Sequence, residues 1–195
     1  MSGDVHVRFC EGLGVRFPRA TRLVICCRGN AKRAMAAMRR IMEKLKLTVN
    51  ERKTRLVRIP EGSFEFLGYS IGRMWSPKKG RFYIGMRPSK KKLLRLCREI
   101  SEETSRRYLV RKVEEEVEVI NRKLLGWANY FCLGAVSRLY DIIDRHTCER
   151  VRRWLRLKHK VASKGISRFP DKYLHYELNL VRLRVFRRSL PWVKA

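Results

Sequence analysis

Acidic residues are scarce in this chain: 18 Asp+Glu stand against 47 Lys+Arg, giving a formal net charge of +29 and a pI near 10.8. A surface so one-sided repels itself unless something neutralises it, and a polyanion is the usual partner. Long apolar runs are missing as well. No stretch approaches the roughly 18 residues of a spanning helix. The opening MSGDVHVRFCEG has no apolar signal core, so no membrane partner and a cytoplasmic location are expected. The six cysteines (Cys10, Cys26, Cys27, Cys97, Cys132 and Cys148) include no CxxC pair. His146 and Cys148 point to different faces of any helix that carries them. Reduced, mostly buried thiols are expected rather than a disulfide frame or a zinc site, which wants four convergent ligands. No internal repeat and no low-complexity linker is present.

What is there is a folded chain of 195 residues with 45% apolar content, enough to bury a core in one domain or two small ones. Residues 1–22 are poorly patterned, with Gly12, Gly14 and Pro18 against a long element. Leu23–Cys27 reads as a short buried strand. Asn30 then caps a helix to about Leu47, with Ala34, Met38, Ile41, Met42 and Leu45 on one face. Alternation over 53–59, 64–71 and 81–86 predicts three strands, broken by Pro60-Glu61-Gly62 and by Ser76–Gly80.

From Ser89, a candidate N-cap, the period turns helical. Helices are expected over about 90–107, 113–134 and 135–160. The middle one has its apolar residues at Val113, Val117, Ile120, Leu124, Trp127 and Phe131. Glutamates 114–116 and 118 favour its dipole-positive start, and Gly134 is placed as its C′ glycine. The predicted fold class is α+β: a strand-and-helix unit over 1–86, a three-helix bundle over 87–160 and a basic extension over 161–195. Leu180–Phe186 could be strand or short helix.

The positive charge is not evenly spread. Lys90, Lys91 and Lys92 open a helix, where the dipole disfavours cations, so folding stability does not explain them. Arg150, Arg152, Arg153, Arg156, Lys158 and Lys160 crowd the end of another helix, more than a dipole accounts for. Lys164, Arg168, Lys172, Arg182, Arg184, Arg187 and Arg188 extend the field. A solvated face is the ordinary fate of a charge run, but such faces mix signs. Phosphate contact is therefore expected from this set, together with Lys53, Arg55, Lys78, Lys79, Arg95, Arg122 and Lys123. Trp75, beside Ser76-Pro77-Lys78-Lys79, is the best candidate to stack on a base. Trp127 and Trp154, on apolar stripes, belong to the core.

Two stretches carry a resemblance. Leu47-Thr48-Val49-Asn50-Glu51-Arg52-Lys53-Thr54 with Phe64-Glu65-Phe66-Leu67-Gly68-Tyr69 resembles the end of the palm in group II intron reverse transcriptases. Arg87-Pro88-Ser89-Lys90 with Leu124-Leu125-Gly126-Trp127-Ala128-Asn129-Tyr130-Phe131 resembles the maturase-specific (thumb, or X) domain of those intron-encoded proteins. The similarity runs from about Leu23 to the C-terminus. It implies a protein that binds structured intron RNA and helps it fold and splice, with Lys53 near a primer-template and the thumb helices along the RNA.

The departure from the family is as informative. The Tyr-Ala-Asp-Asp turn that precedes the strand in the family is replaced by Arg19-Ala20-Thr21-Arg22, and before Glu43 the only acids are Asp4 and Glu11. Two-metal nucleotidyl transfer needs converging carboxylates. With fingers and first palm strands also absent, the chain is expected not to polymerise DNA by itself. No cofactor is expected, Mg²⁺ arriving only with bound RNA or a partner polymerase. The leading expectation is a non-catalytic binder of structured RNA. A subunit completing a split reverse transcriptase, a basic architectural DNA binder and a decayed mobile-element fragment are the alternatives.

Overall fold

The computed structural model describes residues 4–10, 22–77 and 79–189. The fold is α+β, and the chain divides into two compact units, residues 1–86 and 87–195.

In the first unit, strand β1 (Asp4–Cys10) lies between β2 (Arg22–Arg28) and β3 (Arg55–Arg58), antiparallel to both. The poorly patterned opening thus contains the central strand of a sheet. Its period-two signal, Val5, Val7 and Phe9, was overshadowed by the Gly and Pro residues that follow it. Helix α1 (Ala31–Lys44) packs on β1 and β2, and Asn30 Oδ1 accepts from Arg33 N at 3.2 Å, as a cap should. Its inward face is Met35, Met38 and Met42, packed with Ile25 and Val49. Ile41 and Leu45, expected on that face, are exposed; Leu45 lies past the end of the helix at Lys44, before Lys46 turns left-handed (φ 55°). Cys26 is likewise exposed rather than buried.

The single strand expected over 64–71 is a hairpin. β4 (Phe64–Phe66) and β5 (Tyr69–Ser76) pair with Phe66 opposite Tyr69, and Leu67 and Gly68 form the two-residue turn at φ 49° and 83°. Two left-handed residues are what a twist-matched hairpin turn requires. Leu67 hid the turn, since leucine rarely adopts that conformation. β6 (Arg81–Pro88) is the third strand, in the order β4-β5-β6.

The second unit is built from α2 (Lys90–Glu103), α3 (Val113–Tyr130), α4 (Ser137–Lys158) and α5 (Leu183–Ser189). Its core takes Leu96 and Ile100 from α2, Val117, Ile120, Leu124 and Ala128 from α3, and Tyr140, Ile143, Val151, Trp154 and Leu155 from α4. The expected stripe of α3 is therefore the core stripe. The helix stops earlier than predicted, at Tyr130. Gly134 (φ 78°) turns the α3–α4 connection rather than capping α3. Tyr140, fully buried, donates its hydroxyl to Ala128 O and Phe131 O at 3.3 and 3.1 Å and so ties that connection to α4.

The bundle does not end at 160. Phe169, Leu174, Leu180 and Leu183 are buried in the same core, and α5 packs on α3 and α4. Asp144 accepts from Leu183 N and Arg184 N at 3.0 and 3.2 Å, putting a carboxylate at the positive start of α5. Asn121 donates to Asn179 O and accepts from Val181 N, each at 2.9 Å, and so clips the tail to α3. Among the described residues no helix is long and apolar enough to cross a membrane.

Candidate nucleic-acid interface

The structure sorts the predicted cations into those the fold consumes and those it leaves outward. Arg150 on α4 turns inward, its Nε donating to Thr104 Oγ1 at 3.0 Å and its Nη2 to Ser101 O at 2.8 Å. Burial, then the nearby charge of Arg153, lowers its pKa from the usual guanidinium value. One turn pair further along, Lys158 Nζ donates to Leu109 O and Arg111 O at 2.7 and 2.8 Å. These two residues fasten the α2–α3 connection to α4. Arg152 donates to Phe169 O at 3.0 Å and to the Asp171 carboxylate, holding the segment after α4. Sequence spacing could not reveal this, because the acceptors, most of them backbone oxygens, belong to distant segments.

The α2–α3 connection is also where most of the buried charge sits. Arg111 Nη1 bridges Glu103 Oε2 (3.2 Å) and Glu116 Oε2 (3.0 Å), and Lys123 Nζ reaches Glu103 Oε1 at 2.7 Å. Burial works against the Glu103 carboxylate, but Lys123 and Arg111 outweigh it and its pKa is lowered. Glu116 is 1% exposed, and burial raises its pKa despite Arg111. Lys123 thus serves an internal ion pair as well as lying on the candidate surface.

Lys90, Lys91, Lys92, Arg122, Arg153, Arg156, Lys160, Lys164, Arg168 and Lys172 make no ion pair with any described residue. Arg95 pairs with Glu99 one turn away on an exposed face, at 2.8 Å. On α4 Arg153 and Arg156 stand three residues apart on one side of the helix, and Lys160 follows just beyond its end, in left-handed conformation (φ 52°). On α2 and α3, Lys92, Arg95, Arg122 and Lys123 come together around a groove of about 270 Å³. Its apolar lining is Leu96, Gly126, Trp127 and Phe131, with the Trp127 and Phe131 rings 4.7 Å apart between centroids. Trp127 packs against the core as expected, and it also forms a wall of this groove. Trp154 is buried.

In the first unit, Asn50 organises the Asn50–Thr54 turn: its side chain accepts from Lys53 N and its carbonyl from Thr54 N, presenting Lys53 outward. Arg55 and Lys79 are exposed; Lys78 lies outside the described residues. Trp75 is 52% exposed and meets Phe82 edge-on at 4.8 Å, while the Arg73 guanidinium lies 3.7 Å from the Phe82 centroid. Arg73 was missed by the sequence reading, although its spacing of two from Trp75 on a strand already put both on one face.

Helices α2 to α4 with this connection fit one known family. Residues 93–173 match the model of the group II intron maturase-specific domain. Over these residues the chain is similar to that domain. None of the curated proteins matches the chain. The matched segment begins three residues into α2 and ends at Tyr173, so it contains the groove lining except Lys92, together with the inward staples and the outward face of α4. The core of the helical unit also takes Leu174, Leu180 and Leu183 from beyond the matched segment.

On β1 and β2 the register sets Asp4 opposite Arg28, and Arg22 opposite Cys10, at the other end of the ladder. Six strand residues separate these positions, about 20 Å. Among the described residues no group of three or more His, Cys, Asp or Glu could hold a metal ion. One Cys–His contact joins Cys148 Sγ and His175 Nε2 at 3.5 Å. His175 Nδ1 faces Leu180 O at 2.8 Å, so Nδ1 carries the proton and the Cys148 thiol donates to Nε2. Burial pushes that thiol up to about 11, making it a structural contact rather than a nucleophile.

Proposed function

We propose that the chain binds structured, group II intron-like RNA through the basic faces of its maturase-specific domain, supporting the folding and splicing of that RNA in a cytoplasmic RNA–protein particle, without polymerising DNA itself. The observation that carries this reading is the division of the cations. The fold consumes Arg150, Arg152, Lys158 and Lys123, and leaves Lys90–Lys92, Arg122, Arg153, Arg156 and Lys160 outward and without ion pairs among the described residues. In a chain of net charge +29, such residues have no stabilising task that competes with phosphate. Mg²⁺ enters this reading only with the RNA. The first unit, resembling the end of a palm, presents Lys53 and the Trp75 cluster as further contacts.

Binding of a folded group II intron RNA by the full chain, titrated across salt concentrations, tests this. With five or more phosphates neutralised, the logarithm of affinity should fall against log salt with a slope of about −4 or steeper. Affinity flat between low and physiological salt would refute it. A DNA duplex competing as well as RNA would reassign the protein to DNA packaging, since groove shape and the 2′-hydroxyl separate the two ligands. Primer extension that appears only when a second chain is added would make it a polymerase subunit.

A further inference from the structure

The α2–α3 groove contains a residue the fold itself does not require. Gly126 sits inside the 18-residue helix α3, where glycine is the least favourable residue after proline. A Cβ added there meets nothing within 4 Å, so no neighbour forbids a side chain. What the bare backbone keeps open is the groove.

We propose that this groove receives a single unstacked nucleobase of the bound RNA, with Lys92 and Arg122 holding its flanking phosphates. The inference rests on the RNA-binding reading and specifies its ligand. Four observations support it. The volume, about 270 Å³, lies just below the roughly 300–1,000 Å³ of pockets for drug-sized ligands, which suits one planar ring system. Two of the lining residues are aromatic, Trp127 and Phe131, and every base has a face that stacks on such rings. Lys92 and Arg122 border the groove and make no ion pair among the described residues, so an anion either side of the ring meets uncommitted charge. The Arg95–Glu99 pair adds donors and acceptors at the same rim, suited to a base edge. A base inside a duplex cannot enter so narrow a site, whereas a bulged or loop nucleotide can.

The test uses the full chain and two RNA hairpins of equal stem length, one fully paired and one with a single unpaired 2-aminopurine. The unmodified chain should bind the bulged hairpin about tenfold more tightly, within the range for one base stacked on an aromatic ring, and should change the 2-aminopurine fluorescence. Gly126→Met fills the groove and should abolish both the preference and the fluorescence change. Gly126→Ala, adding one methyl group, should keep the preference within about twofold. Both introduce a better helix former at an open position, so folding is retained, and all three proteins should bind the paired hairpin equally. Equal affinity of the unmodified chain for the two hairpins would overturn the proposal. So would Gly126→Met weakening both alike. If neither hairpin binds at all, the RNA-binding reading itself fails first.

Discussion

Arg150 and Arg153 stand three residues apart on α4, and substituting each by methionine should have opposite consequences. Arg150 makes two well-formed bonds into the end of α2, to Thr104 Oγ1 and Ser101 O. Bonds to a charged donor are worth about 1.5–3 kcal/mol each when lost. The site is only half-buried, so water recovers part of that, and the expected cost of Arg150→Met is about 2 kcal/mol. For a unit of this size, about 4 °C per kcal/mol applies, which puts the helical unit's melting temperature about 8 °C lower. Its donors face inward, so the salt slope of RNA binding, measured below the transition, should not change. Arg153 is exposed and has no ion pair among the described residues. Arg153→Met should leave stability within about 0.5 kcal/mol and reduce the salt slope by about 0.9, the value for one phosphate contact. Thermal unfolding by near-ultraviolet dichroism and salt-titrated RNA binding read the two effects separately. The sorting of cations is refuted if Arg150→Met melts like the unmodified chain, or if it lowers the salt slope as much as Arg153→Met.

Three further outcomes follow from the buried groups. Lys158→Met keeps the apolar stem but loses both carbonyl contacts and should cost about 1–2 kcal/mol, read by chemical unfolding, with amide exchange at 109–113 accelerated first. Glu116 holds its proton more tightly in the folded state than its ordinary value of 4.5, chiefly through burial. The folded state therefore binds more protons than the unfolded one above that pH, and stability falls as pH rises through the window. Glu116→Gln removes this loss, so the variant should gain on the unmodified chain as pH rises from about 4 towards 7; a gain on acidification instead would contradict the burial argument. A thiol reagent at pH 8 should label exposed Cys26 well before Cys148, whose pKa of about 11 leaves about one thiolate in a thousand. Mass spectrometry of the labelled peptides measures the order.

Much of the helical unit was legible because α3 and α4 carry strong amphipathic periods, and Val117, Ile120 and Leu124 are buried as their spacing demands. The hairpin at Leu67-Gly68 was not, because an apolar residue in a left-handed turn prolongs the look of a strand. The tail was opaque for a different reason. Leu174, Leu180 and Leu183 lack a clean period, and only packing against α3 and α4 makes them core. The candidate surface was half legible: sequence gives the residue types, yet Arg150 and Arg153 look alike until distant carbonyls appear beside one of them. The groove needed both α2 and α3 in place, since Lys92 and Arg122 are thirty residues apart in the chain and meet only there.

If the outward cations of the helical unit serve one structured RNA, that RNA should travel with the protein. Ultraviolet crosslinking of the full chain in its host, followed by sequencing of the recovered RNA, tests it most directly. One strongly enriched, structured transcript of group II intron type is expected, with crosslinks on peptides that carry Lys92, Arg122 or Arg153. Recovery of abundant cellular RNAs in proportion to their amounts, or crosslinks confined to residues 1–86, would contradict it.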